Sequence, residues 1–98
     1  MEATLVHRVR RHLRDGVFFE IVIWRVPAPL RGSSHSFKYR MALVADSVCV
    51  MRYDNEAGKG DHRHVANEEF SYRFEGIDKL LADFANDVEE WLDGNAQS

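Results

Sequence analysis

From Gly76 onward the apolar residues fall at a helical spacing. Ile77, Leu80, Leu81, Phe84, Val88, Trp91 and Leu92 stand at i, i+3, i+4, i+7, i+11, i+14 and i+15. Asp78, Lys79, Asp83, Asn86, Asp87, Glu89 and Glu90 occupy the remaining positions and are expected to form a solvated face. Each apolar side chain of such a stripe contributes roughly 1.5–3 kcal/mol when fully buried, so the helix must pack on a core. The pattern predicts a helix over residues 76–92, stopped by Asp93-Gly94, with a disordered tail over 95–98.

Upstream the period shortens to that of strands. Residues 17–26, VFFEIVIWRV, are β-branched and aromatic on both faces, as in a strand inside a sheet. Leu5, Val9 and Leu13 are spaced by four, which suits a helix face or one side of a strand. A two-residue turn at Asp15-Gly16 favours a hairpin. It would set His7, Val9, Arg11 and Leu13 opposite Trp24, Val22, Glu20 and Phe18. PAPLRGSSHS at 27–36 reads as a loop, and FKYRMALV and VCVMRYD form a second hairpin around Ala45-Asp46-Ser47. Its polar end, with Lys38, Arg40, Arg52, Tyr53 and Asp54, leads directly into GKGDHRH at 58–64. The expected fold is α+β: an antiparallel sheet of about four to six strands over residues 4–74, packed on one long C-terminal helix, in a single domain of residues 1–98.

The formal net charge of -3 averages over two unlike parts. Residues 1–64 hold 11 Lys and Arg against 7 Asp and Glu, together with all five histidines, whereas residues 65–98 hold 2 against 9. A phosphate-contacting surface opposite an acidic helix fits that division, and so does ordinary surface charge. Cys49 is the single cysteine, so neither an internal disulfide nor a cysteine-rich zinc site is available. No apolar run approaches the roughly 18 residues that span a bilayer, and the start lacks a signal-peptide core; a cytoplasmic protein with no membrane partner is expected.

If residues 61–65 are extended, His62 and His64 project to one side and Asp61 and Arg63 to the other. Paired imidazoles suit general acid and base roles in cleaving RNA, with Lys38, Arg40, Lys59 and Arg63 as phosphate-binding candidates and Tyr53, Asp54, Asp61 and Tyr72 in support. Attack by the 2′-hydroxyl needs neither a metal nor another cofactor. The competing structural reading is that both histidines only hydrogen-bond within a tight loop. A shared ion with Asp54, Asp61, Glu68 or Glu69 as third ligand is the metal alternative, but no further spaced histidine or cysteine completes a set. AGKG lacks the remaining residues of a nucleotide-binding phosphate loop, and the serines near His35 sit in no nucleophile elbow. Trp24, Tyr39, Tyr53, Phe70 and Tyr72 are stacking candidates for bases if they are exposed, and core residues otherwise.

VIWRVP, FKYRMALV, RYDNEAGKGDHRH, EEFSYRF and LLADFANDV together resemble the TumE-like toxins of bacterial type II toxin–antitoxin modules, over roughly Leu5 to Val88. The resemblance implies a small growth-inhibiting protein, neutralised by an antitoxin that carries a helix-turn-helix DNA-binding domain, and a sheet with one C-terminal helix. RNA cleavage is the activity expected by analogy with toxins of this size. The alternative is a non-enzymatic module that binds nucleic acid or protein through its basic sheet edge. An open sheet face also leaves room for a homodimer.

Overall fold

The computed structural model describes residues 2–95. Six strands, β1 (Thr4–Arg14), β2 (Val17–Arg25), β3 (Phe37–Ala45), β4 (Val48–Glu56), β5 (Gly60–Val65) and β6 (Glu68–Ser71), precede one helix, α1 (Ile77–Gly94). The strands form an antiparallel meander in the order β1-β2-β3-β4-β5-β6, so every neighbour in sequence is a neighbour in space. This is the expected α+β architecture, and the ambiguous N-terminal segment is a strand.

One face of the sheet carries α1. Leu80, Phe84 and Val88 of the helix are buried with Val17, Ile21, Ile23, Tyr39, Met41, Leu43, Met51 and Tyr53 of the strands. Among the described residues no helix covers the other face. β2 is apolar on both sides, as predicted, but only Val17, Phe19, Ile21 and Ile23 face the core, leaving Val22 and Trp24 on the open face.

The first hairpin turns at Asp15-Gly16 as the sequence predicts, yet its register differs by one residue along most of its length. Arg14 pairs with Val17, Leu13 is skipped as a bulge, and from there His12 faces Phe18 and Arg10 faces Glu20. The bulge has a physical reason. It brings Val9 opposite Ile21, so that both face the core, and lets Leu13 join the apolar cluster beneath α1. Arg10, rather than Arg11, consequently pairs with Glu20, at 3.1 Å.

At the other end of α1, Asn95 is held in place, although the sequence assigned it to the tail. Its backbone N–H and its side-chain amide both donate to the Trp91 carbonyl, and Arg14 donates to its own carbonyl at 2.6 Å. The tail expected beyond it lies outside the described residues.

Candidate functional site

The β4–β5 hairpin decides what the GKGDHRH segment can do. Its glycines serve packing. Gly58 N–H donates to the Arg31 carbonyl at 2.6 Å, and Gly60, at φ 77°, lies so close to Gly32 that an added Cβ would sit 2.9 Å from the Gly32 carbonyl oxygen. The 27–36 loop is thereby clasped against the hairpin. β5 then pairs with β4 so that His62 lies across from Asp54 and His64 from Arg52.

Strand alternation sends these four side chains to the open face, together with Lys38 and Arg40 of β3 and Arg8 and Arg10 of β1. Two cross-strand rows result. Arg8, Val22, Arg40, Asp54 and His62 form one; Arg10, Glu20, Ala42, Arg52, His64 and Glu69 form the other. The acidic residues of the C-terminal part lie mainly on α1, across the sheet from this face. The division of charge along the sequence is therefore in part a division between two faces: Arg8, Arg10, Lys38, Arg40 and Arg52 share the open face with Glu20, Asp54 and Glu69.

The two imidazoles are held in complementary states. His62 Nε2 lies 2.6 Å from the Lys59 carbonyl, an acceptor only, so this nitrogen carries a proton. His64 Nε2 lies 3.1 Å from Arg52 Nη2, a donor only, so this nitrogen offers a lone pair. The ring centroids are 6.4 Å apart. His62 Nδ1 is 3.1 Å from Glu69 Oε1, but the approach is too bent for a hydrogen bond and the nitrogen is buried. Arg52 Nε likewise approaches Asp54 Oδ2 to 2.9 Å as an ion pair without hydrogen-bond alignment.

Asp54 is buried and stays paired with Arg52, while Lys38 and Arg40 are exposed and form no ion pair among the described residues. Lys59 is exposed in the turn between β4 and β5. Among the described residues no group of three or more His, Cys, Asp and Glu side chains forms a metal-binding arrangement. The Arg52 guanidinium lies between Asp54 and His64, where an ion shared by them would sit.

The remaining candidates lie on the helix face. Arg63 donates from Nε to Asp87 Oδ2 at 2.8 Å, and the Tyr53 hydroxyl donates to the same oxygen. Arg63 is thus separated by the sheet from the histidines beside it in sequence. The Tyr72 hydroxyl donates to Asp83 at 2.6 Å, and Lys79 bonds the same carboxylate. Two acids of the expected solvated face therefore bind residues beneath the helix instead, Asp87 to Tyr53 and Arg63 and Asp83 to Tyr72. Lys79 and then Tyr72 hold Asp83 below the usual carboxylate range, against the opposing effect of burial. Burial, followed by the carboxylate partner, raises the pKa of both Tyr53 and Tyr72.

Asp61 anchors a buried network that the sequence did not announce. Its carboxylate accepts from Tyr39 at 2.7 Å, from His35 Nε2 at 2.7 Å and from Ser33 at 3.1 Å. His35 Nδ1 in turn accepts the Phe37 N–H, which fixes the Nε2–H tautomer, and the ring stacks on Phe74 with centroids 3.7 Å apart. Asn55 joins the same cluster through the Tyr39 N–H and the Phe37 carbonyl. Burial first, and Asp61 second, raises the Tyr39 pKa. The sequence placed these serines and His35 in the 27–36 loop but held no sign that they meet Asp61.

Of the predicted residues, the open face gathers His62, His64, Lys38, Arg40 and Asp54, with Lys59 at its margin. Asp61, Arg63, Tyr53 and Tyr72 belong to the core side. Arg52, named in the sequence only as part of a polar strand end, is the residue that joins His64 to Asp54. A family model described as Toxin TumE matches residues 2–92. No curated protein and no solved structure matches significantly. Among the described residues no helix is long and apolar enough to cross a membrane.

Proposed function

The chain belongs to the TumE toxin family, and from that premise we propose that it is the toxin of a toxin–antitoxin module that binds RNA on the open face of its sheet and cleaves it without a metal. The observation that carries this reading is the pairing of His62, fixed through Nε2–H with Nδ1 left without a hydrogen bond, with a lone pair on His64 Nε2, 6.4 Å apart between rings, amid cations.

His64 Nε2, released from Arg52 as substrate enters, takes the proton of a 2′-hydroxyl. The resulting oxygen attacks the adjacent phosphorus and the bond to the 5′-oxygen breaks. His62, as an imidazolium whose Nε2–H stays on the Lys59 carbonyl, supplies its Nδ1 proton to that leaving oxygen, leaving a 2′,3′-cyclic phosphate on one fragment and a free 5′-hydroxyl on the other. The Glu69 arm, 43% exposed, must swing aside to open His62 Nδ1. Arg52 and Arg40 offset the charge that develops on the phosphate, a kind of contribution worth about 10²–10³ in rate. Arg63 and Asp61 serve the scaffold, and Lys59 holds His62 through its backbone carbonyl. An antitoxin, with the helix-turn-helix domain that the family resemblance implies, neutralises the protein in the cell.

Induction of the wild-type chain should arrest growth and degrade RNA, while His62→Ala and His64→Ala should be folded and harmless. RNA decay unchanged in both variants removes the histidines from catalysis. The second reading, a toxin that acts by occupying its target without cutting it, is favoured by one observation: both His62 nitrogens already face protein partners. Growth arrest with intact RNA, lost in Lys38→Gln/Arg40→Gln and kept in His62→Ala, supports it.

A further inference from the structure

Trp24 lies where a folding role alone does not require it. β2 contributes Ile21 and Ile23 to the core, but Val22 and Trp24 project to the opposite, helix-free face. There they line a depression of about 240 Å³ with Lys38, Arg40 and the Tyr39 backbone region between them. Lys38 lies directly across from Trp24, and Arg40 across from Val22. The floor is apolar and the rim cationic, because the long stems of Lys38 and Arg40 line the depression beside Trp24 and their exposed charged ends reach water.

Three cations around it, Arg8, Lys38 and Arg40, form no ion pair among the described residues. Uncompensated cations beside a flat apolar floor fit a ligand that is itself flat, aromatic and joined to phosphate. An acidic peptide satisfies the charges but leaves the indole without a partner.

We propose that the depression at Trp24 is a stacking subsite for one unpaired base of a single-stranded RNA, its phosphates held by Lys38, Arg40 and Arg8. This rests on the reading of the open face as an RNA surface and adds the form of the substrate. Val22, Arg40, Asp54 and His62 lie in one cross-strand row, so the subsite and the histidines share a face. They stand three strand spacings apart, about 14 Å, within reach of neighbouring nucleotides of one chain. A duplex hides its base faces and cannot fill the site, whereas stacking on an aromatic accepts any base.

The test uses the full chain with Trp91→Phe, so that Trp24 is the one remaining tryptophan. The probes are short 2′-O-methyl oligoadenylate and oligouridylate, which lack the attacking hydroxyl and cannot be cleaved. At least one should quench Trp24 emission on binding, and the annealed duplex should not. Trp24→Ala should bind about 10-fold or more weakly, Trp24→Phe close to wild type, and Lys38→Gln/Arg40→Gln should lower the slope of log affinity against log salt by about 2. Circular dichroism of each variant confirms its fold. Equal affinity in Trp24→Ala, equal quenching by duplex or by polyglutamate, or no binding of either probe overturns the subsite. Trp24-dependent binding without any RNA cleavage leaves the subsite standing and defeats the ribonuclease reading alone.

Discussion

Arg52 Nη2 donates to His64 Nε2 at 3.1 Å, and the same guanidinium pairs with the buried Asp54. Because a guanidinium only donates, this contact places the His64 lone pair on Nε2 and its proton on Nδ1. Nitrogen-15 NMR of the histidine ring should show the Nδ1–H tautomer. Arg52→Ala should release that preference and, on the proposed mechanism, lower RNA cleavage roughly 10²-fold by removing a donor to the phosphate. A ring with Nε2 protonated in the wild-type chain contradicts the assignment.

The hydrogen bonds of Asp61 predict a role in stability rather than chemistry. Asp61→Ala strands the Tyr39 hydroxyl, His35 Nε2–H and the Ser33 hydroxyl in a region where the His35 and Asp61 side chains are 9% and 8% exposed. The expected cost is roughly 3–5 kcal/mol, read as a lower midpoint in urea unfolding. His35→Ala should also lower stability, yet its folded fraction should cleave RNA at the wild-type rate.

Gly60→Ala tests the clasp between the 27–36 loop and the β4–β5 hairpin. The new methyl meets the Gly32 carbonyl oxygen at 2.9 Å, and φ 77° is itself unfavourable for alanine. A loss of roughly 1–3 kcal/mol is expected. Wild-type stability in this variant means that the loop does not pack on the hairpin as described.

All three tyrosines of the chain donate to carboxylates: Tyr39 to Asp61, Tyr53 to Asp87 and Tyr72 to Asp83. Burial first and the carboxylates second raise all three pKa values. The folded state therefore holds these protons more tightly than the unfolded chain does. That stabilisation is complete below the unfolded tyrosine pKa of about 10 and is lost as pH rises beyond it. Tyrosinate absorbance should consequently appear together with loss of the far-ultraviolet circular dichroism. Ionisation near pH 10 with an intact fold contradicts these hydrogen bonds.

Much of this architecture was legible because local signals agreed. The heptad-like stripe from Ile77 to Leu92, the Asp15-Gly16 turn, a second turn read at Ala45-Asp46-Ser47 and found at Asp46-Ser47, and the apolar β2 each point to one structure. The register of β1 was not legible, since it depends on a bulge at Leu13 that only the packing of Leu13 and Val9 beneath α1 rewards. Asp83 and Asp87 border the apolar stripe, and periodicity cannot say whether a border residue meets water or a tyrosine hydroxyl. At the site, alternation along residues 61–65 correctly separates His62 and His64 from Asp61 and Arg63. It says nothing about which face the helix covers, and that choice binds Arg63 to Asp87. His35 and Asp61 meet across 26 residues of loop and hairpin, a contact that no local pattern encodes.

The most direct measurement is cleavage of a short single-stranded RNA by the purified chain in excess chelator, with the product ends identified by mass spectrometry. The account predicts fragments ending in a 2′,3′-cyclic phosphate, at a rate reduced about 10²–10⁴-fold in His62→Ala and in His64→Ala. Full activity in both variants, or activity that vanishes in chelator and returns with a divalent cation, would contradict it.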